Sequence, residues 1–192
     1  MVRAKRIALT ALMISLGVVT YVLESVVPFP IPNGKWGFSN FVVLLSIFAF
    51  GGVEGIKVAI GKSLIGSILT GHFMDVAFFM SVAGSSSAAL IETVLSRVGF
   101  FGLFGVSLCG SIANNIAQIF VGSVFLQSKS FFIILPYMLF LGIPGALANA
   151  YIVKRVLPYV ERIQVSTGFD FTTKENAAQE TVPQIRNNRS GN

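Results

Sequence analysis

The residues of this sequence best placed to do chemistry are the few polar ones that interrupt long apolar runs. The first group is Glu24, followed by Pro28, Pro30 and Pro32, then Lys35 and Asn40. Proline removes a backbone donor and breaks helical hydrogen bonding, so the chain must leave its helix here and return through an extended loop. An acid and a base bracketing such a loop either pair with each other or form the lip of a pocket in which Lys35 meets an anionic ligand. Lys62 is a cation inside a Gly- and Ser-rich run. It either snorkels to a membrane interface or turns inward towards a buried acid or a substrate. Asn114, Asn115 and Gln118 form a third group. Positions 115 and 118 share a helix face, and their amides either join helices or line a polar cavity.

Other polar residues invite simpler readings. Trp36 reads as an interfacial anchor, Asn149 as a join between helices, and Glu92 and Arg97 as interfacial residues at the inner end of the fourth span. His72 and Asp75 make too small a set for a metal. The lone Cys109 allows neither a disulfide nor a cysteine metal site, and it reads as a small apolar filler. No glycine-rich phosphate loop or Walker lysine occurs, and with only Asp75 and Asp170 the chain lacks the aspartate-rich Mg²⁺ clusters of diphosphate chemistry. No enzyme and no cofactor is expected from this set.

The elements that must position these groups are membrane helices. The chain of 192 residues is 54% hydrophobic and 11% charged, against roughly 25% charged for soluble domains. Residues 7–153 hold only nine charged side chains, too few to coat a soluble fold. The net charge of +6 is dispersed at chain ends and loops rather than gathered on one aromatic-laced face, which excludes nucleic acid as a partner. About 20 apolar residues cross a bilayer as a helix, and six spans are expected near 7–27, 37–52, 56–72, 76–96, 102–126 and 130–153. The second and third are short, so tilt or a broken helix is possible there. Gly61, Gly66, Gly71, Ser63 and Ser67 favour close packing in the third. The basic N-terminus is followed by no small-residue cleavage site, so the first apolar stretch is retained as a span.

Lys and Arg counts orient the bundle. One side carries Arg3, Lys5, Arg6, Lys57, Arg97, Lys154, Arg155 and Arg162, and the other only Lys35 and Lys129. The positive-inside rule then places both termini in the cytoplasm. Residues 1–158 form the transmembrane domain, and 159–192 are polar and expected to be a disordered cytoplasmic tail. The fold expected is an all-α integral membrane bundle of six helices. Ala4, Ala8 and Ala11 add a small-residue stripe on the first span, suited either to packing within the bundle or to docking a partner helix.

The block Leu23-Glu24-Ser25, Pro28-x-Pro30-x-Pro32, Lys35-x-Gly37 and Asn40 resembles the signature of the bacterial Gx transporter family, also labelled heptaprenyl diphosphate synthase component I. Lys62-x-x-x-Gly66-Ser67 and Asn115-x-x-Gln118 resemble its other polar positions, and the likeness covers roughly residues 5–155. The family pattern usually has arginine where Lys62 stands and histidine where Asn114 stands. The family is similar to the substrate-capture (S) components of energy-coupling-factor (ECF) vitamin transporters. That resemblance implies a bacterial inner-membrane protein that binds a vitamin, cofactor precursor or similar small molecule. Glu24, Lys35, Asn40, Lys62, Asn115 and Gln118 would face the ligand, and Ala4 and Ala8 would dock a transmembrane coupling subunit with its ATPases. The family's other label implies instead a noncatalytic membrane component of polyprenyl diphosphate or quinone synthesis, or of a flavin- or quinone-linked redox complex.

Overall fold

A computed structural model describes residues 2–27 and 36–166, with side chains from Arg6 to Gln164. Lys35, Pro28, Pro30 and Pro32 lie outside the described residues, as do the side chain of Ala4 and the tail from 167 onward. The described chain is helical: α1 (Val2–Val26), α2 (Asn40–Phe50), α3 (Gly52–Leu69), α4 (Val76–Val98), α5 (Leu103–Phe125) and α6 (Leu135–Ser166), with a 3₁₀ segment at Lys129–Ile134. Among the described residues there is no strand.

Four helical stretches are long and apolar enough to cross a membrane: Arg6–Val26, Val76–Val98, Leu103–Phe125 and Lys129–Gln164. The surface agrees. Ile7, Ile133 and Phe140 are exposed, while Lys62, Glu92 and Asn114 are buried, an inside-out arrangement that lipid favours and water does not. Hydroxyls on α1 are satisfied without water, since Thr10, Ser15 and Thr20 each donate to the carbonyl four residues back, at 3.0, 2.9 and 2.8 Å.

The expected second span takes a different form. α2 has 11 residues, about 16 Å of helix at 1.5 Å per residue, which is roughly half a bilayer. It is also apolar nearly all round, with nine of its residues buried, so it is a core element rather than a lipid-facing one. It ends at Gly51, whose φ of 95° suits glycine and strains other residues. α3 begins at the next residue, so the two form one broken hairpin. The packing glycines of α3 act as the spacing suggested. Gly66 lies under the Tyr21 ring and Gly61 under Ile14, and Tyr21 Oη lies 3.0 Å from Ser67 Oγ. Gly71 instead occupies a turn at φ 75°.

α4 packs along α5, α5 along α6, and α3 lies against both α1 and α4. α6 contains Pro144 and Pro158 and still runs to Ser166. The boundary expected at 158 therefore falls inside a helix, whose last turns are tied down where Gln164 Nε2 donates to Ala49 O at 2.9 Å. A change to polar composition past Pro158 does not end a helix whose neighbour supplies contacts.

Candidate functional site

Glu24 sits on the last turns of α1 and is 5% exposed. Its carboxylate receives the backbone N–H groups that lead into α2. Oε1 accepts from Gly37 and Phe38 (the latter at 3.2 Å), and Oε2 accepts from Ser39 at 3.2 Å. A helix N-terminus presents unsatisfied donors and a partial positive charge. The half-helix α2 begins at buried Ser39 and Asn40, and Glu24 meets the donors that lead into it. Among the described residues its partners are thus loop backbone N–H groups.

Lys62 rises from α3 across Gly17, whose lack of a side chain leaves room for the lysine stem. It is 1% exposed and donates to Ser39 Oγ at 3.0 Å and Asn40 Oδ1 at 2.6 Å. The snorkelling alternative is excluded, because the ammonium turns into the bundle. Ser39 therefore joins Glu24, through its N–H, to Lys62, through its hydroxyl.

Beyond Asn40 this network opens on a small cavity walled by Trp36, Gly37, Asn40, Glu92, Ser107, Ser111, Asn114, Asn115, Gly142, Ala146 and Asn149. The volume open to the centre of a water is about 10 Å³, near the minimum for a single water molecule. Glycines let its walls close. A side chain at Gly110 would strike the Glu92 carboxylate, and one at Gly142 would meet Asn115 and Ser111. Asn115 Nδ2 donates to Met138 O at 3.0 Å, Ser107 Oγ to Ala146 O at 2.8 Å, and Asn149 Nδ2 to Gly37 O at 2.9 Å. α5, α6 and the loop before α2 are thereby pinned around one polar centre.

The structure brings Glu24, Asn40, Lys62 and Asn115 into this connected centre. Gln118 is half-buried and packs beside Asn114 against Gly84 of α4, away from the cavity lining. Three members were read differently from sequence. Glu92, expected at an interface, is 2% exposed, because α4 continues to Val98 and carries it into the contact with α5. Trp36, expected as an interfacial anchor, lines the cavity, and its carbonyl abuts Gly145 of α6. Asn149, expected only to join helices, does so and also faces the cavity. A buried carboxylate opposite a glycine such as Gly110 leaves no spacing signal, and only the α4–α5 register reveals it. Ala8 is exposed on α1.

Two further ionic groups lie apart from the cavity. Glu54 meets Arg6 at 3.0 Å and Lys57 at 2.9 Å, clustering charges at one end of the bundle. At the other end Asp75 caps α4, accepting from Phe78 N–H at 2.8 Å, with His72 Nδ1 at 2.8 Å from its second oxygen. Burial, the largest influence on Asp75, raises its pKa. The hydrogen bonds from Phe78 and His72, the charge of His72 and the Ala77 N–H outweigh it, and the carboxyl sits below its ordinary value. Among the described residues no group of three or more His, Cys, Asp or Glu could hold a metal.

Apolar helices around a buried, polar, glycine-walled centre are the build of a helical membrane protein. The chain belongs to the heptaprenyl diphosphate synthase component I family, whose model matches residues 13–156. The match takes in Glu24, Asn40, Lys62, Glu92, Asn115 and Asn149. Neither a curated protein nor a solved structure matches the chain.

Proposed function

We propose that this protein is the substrate-capture subunit of an ECF-type importer in the bacterial cytoplasmic membrane, taking up a vitamin, cofactor precursor or similar small organic molecule. The observation that carries this reading is the polar centre itself. Asn40, Glu92, Ser107, Ser111, Asn114, Asn115 and Asn149 come together from four helices in a bundle whose outer surface is apolar. Polar groups at such depth are costly, and intramembrane binding sites are where they commonly gather. Half-helices such as α2 are a recurrent way of building such sites.

In this structure the centre is closed, while small-molecule sites of ordinary size measure about 300–1,000 Å³. Ligand entry therefore requires the loop around Trp36–Ser39 and the first half of α6 to move away from α5. Those walls meet through glycines at 142 and 145, which permit separation without dragging bulky side chains past one another. Lys35, counted on the outer side by the positive-inside rule, would meet an anionic group of the cargo. Six passages, counting the α2–α3 hairpin as two, put both termini in the cytoplasm under the positive-inside rule. The Arg6–Glu54–Lys57 cluster then lies on the inner side.

Energy would come from a transmembrane coupling subunit with ATPases, docked on α1 around Ala4 and Ala8, of which Ala8 is exposed. An open groove of about 370 Å³ beside this face is lined by Arg6, Ile7, Thr10, Ala11, Ile14, Glu54 and Lys57, and it offers a partner helix both apolar and charged contacts. Affinity purification of the tagged chain from native membranes should bring down a membrane subunit and ATPases, and Ala8→Leu should reduce the yield of both.

The family's description supports a second reading, a noncatalytic membrane component of polyprenyl diphosphate or quinone synthesis. Deletion would then change isoprenoid quinone chain length. An unchanged quinone profile together with coupling-subunit copurification favours the importer.

A further inference from the structure

The cavity at the centre of the bundle has a chemical polarity of its own. Glu92 Oε2 and Asn149 Oδ1 are buried and accept no hydrogen bond from the described residues, and both residues line this cavity. A third such atom, Thr93 Oγ1, belongs to a residue that packs on Gly52 and is not part of the lining. Four lining side chains turn a donor elsewhere. Ser107, Ser111, Asn115 and Asn149 each direct a donor onto a backbone carbonyl, of Ala146, Gly142, Met138 and Gly37. The two atoms left unsatisfied at the cavity are oxygens, and what would satisfy both is electropositive. Its size is that of a water or a small ion.

Charge narrows the choice. Among the described residues buried within the bundle, away from the Arg6–Glu54–Lys57 cluster, Glu24 and Glu92 are acids and Lys62 is the base. Glu24 is engaged by three backbone N–H groups and Lys62 by Ser39 and Asn40. Counted as ionised, the two acids exceed the one base by a single charge, and Glu92 is the acid with a carboxyl oxygen left unsatisfied among the described residues. A single carboxylate among amide and hydroxyl oxygens is a hard-donor set. With one acid it matches a monovalent ion, whereas divalent ions recruit several carboxylates.

We propose that Glu92 and Asn149 form a Na⁺ site at the core of the bundle, with the hydroxyl oxygens of Ser107 and Ser111 and the amide oxygen of Asn115 completing the ligand set. Gly110 is part of the site, because its bare backbone lets the Glu92 carboxylate lie against α5. The bound ion ties α4 to α5 and α6 and holds the closed form together. The site does not depend on the importer reading: a chain that binds Na⁺ but no cargo would refute that reading alone.

The test uses the full chain in detergent or lipid nanodiscs. Thermal unfolding is followed in NaCl, KCl and choline chloride at equal ionic strength. Na⁺ should raise the midpoint saturably by roughly 5 °C over choline, and K⁺ should do much less. Glu92→Gln and Asn149→Leu should abolish the difference while retaining helical circular dichroism. Radioactive ²²Na⁺ binding to the wild type should saturate near one ion per chain, which keeps the test valid if the Glu92 variant does not fold. Equal midpoints in NaCl and choline with no ²²Na⁺ bound would overturn the proposal, leaving a water or a proton at Glu92. A Na⁺ effect that persists in a folded Glu92→Gln variant would overturn it equally.

Discussion

Replacing Glu24 by alanine should cost more than any other single truncation at the start of α2. The carboxylate holds the N–H groups of Gly37, Phe38 and Ser39 at a position only 5% exposed. A hydrogen bond to a charged group contributes about 1.5–3 kcal/mol, and an unsatisfied buried donor costs about 1–3 kcal/mol. Three such bonds share one carboxylate and do not add, so a loss on the order of 3 kcal/mol is expected for the set. For a chain of this size that corresponds to a fall of roughly 6–12 °C in the unfolding midpoint. Glu24→Gln keeps one acceptor oxygen and should fall between, near 1–2 kcal/mol. Cys109 is the chain's one thiol and is half-buried on α5, so a thiol-reactive fluorophore reports unfolding directly. An alanine variant that unfolds within about 1 °C of wild type, a shift worth well under 1 kcal/mol, would refute the claim that Glu24 secures the half-helix.

Four further outcomes follow from the same geometry. Lys62→Met should destabilise by about 1–3 kcal/mol in equilibrium unfolding, because it strands the buried oxygens of Ser39 and Asn40, while Lys62→Arg should retain a folded bundle. Gly110→Ala should displace the Glu92 side chain and cost about 1–3 kcal/mol, measured as a lowered unfolding midpoint with unchanged helix content. Asp75→Ala should lose the cap of α4, costing about 1 kcal/mol. Because the folded-state pKa of Asp75 is depressed, its contribution is present above the ordinary carboxylate range and is lost as pH falls through the lowered value. A titration of stability with pH should therefore flatten at the acid end in that variant, and an acid limb identical to wild type would contradict the assignment.

Much of this architecture is legible in the sequence because lipid imposes a simple pattern. Long uncharged runs marked α1, α4, α5 and α6, and the Glu24–proline–Asn40 block marked the place where the chain leaves and re-enters the bundle. The small residues at 61, 66 and 67 correctly announced close contact with another helix, though not that α1 would be the partner. What escaped notice depends on tertiary register. Half a bilayer of helix at α2 is concealed in an apolar run that continues into α3, and only Gly51 marks the break. Glu92 lies six residues from the end of α4 and from sequence alone looks like a rim residue. Its burial follows from the close approach of α5 at Gly110. Asn149 was visible as a polar residue, but its second role needed the Gly37 carbonyl, 112 positions away, to fix which end of its amide faces the cavity.

The central claim is that the polar centre of the bundle receives a small organic ligand. Mass spectrometry of molecules released on denaturing the protein, purified gently from its native membrane, tests this most directly. The account predicts one defined small molecule, in near-stoichiometric amount with wild type and strongly reduced with Asn115→Ala or Asn40→Ala. A wild-type protein that releases only phospholipid, or a ligand retained equally by both folded variants, would contradict it.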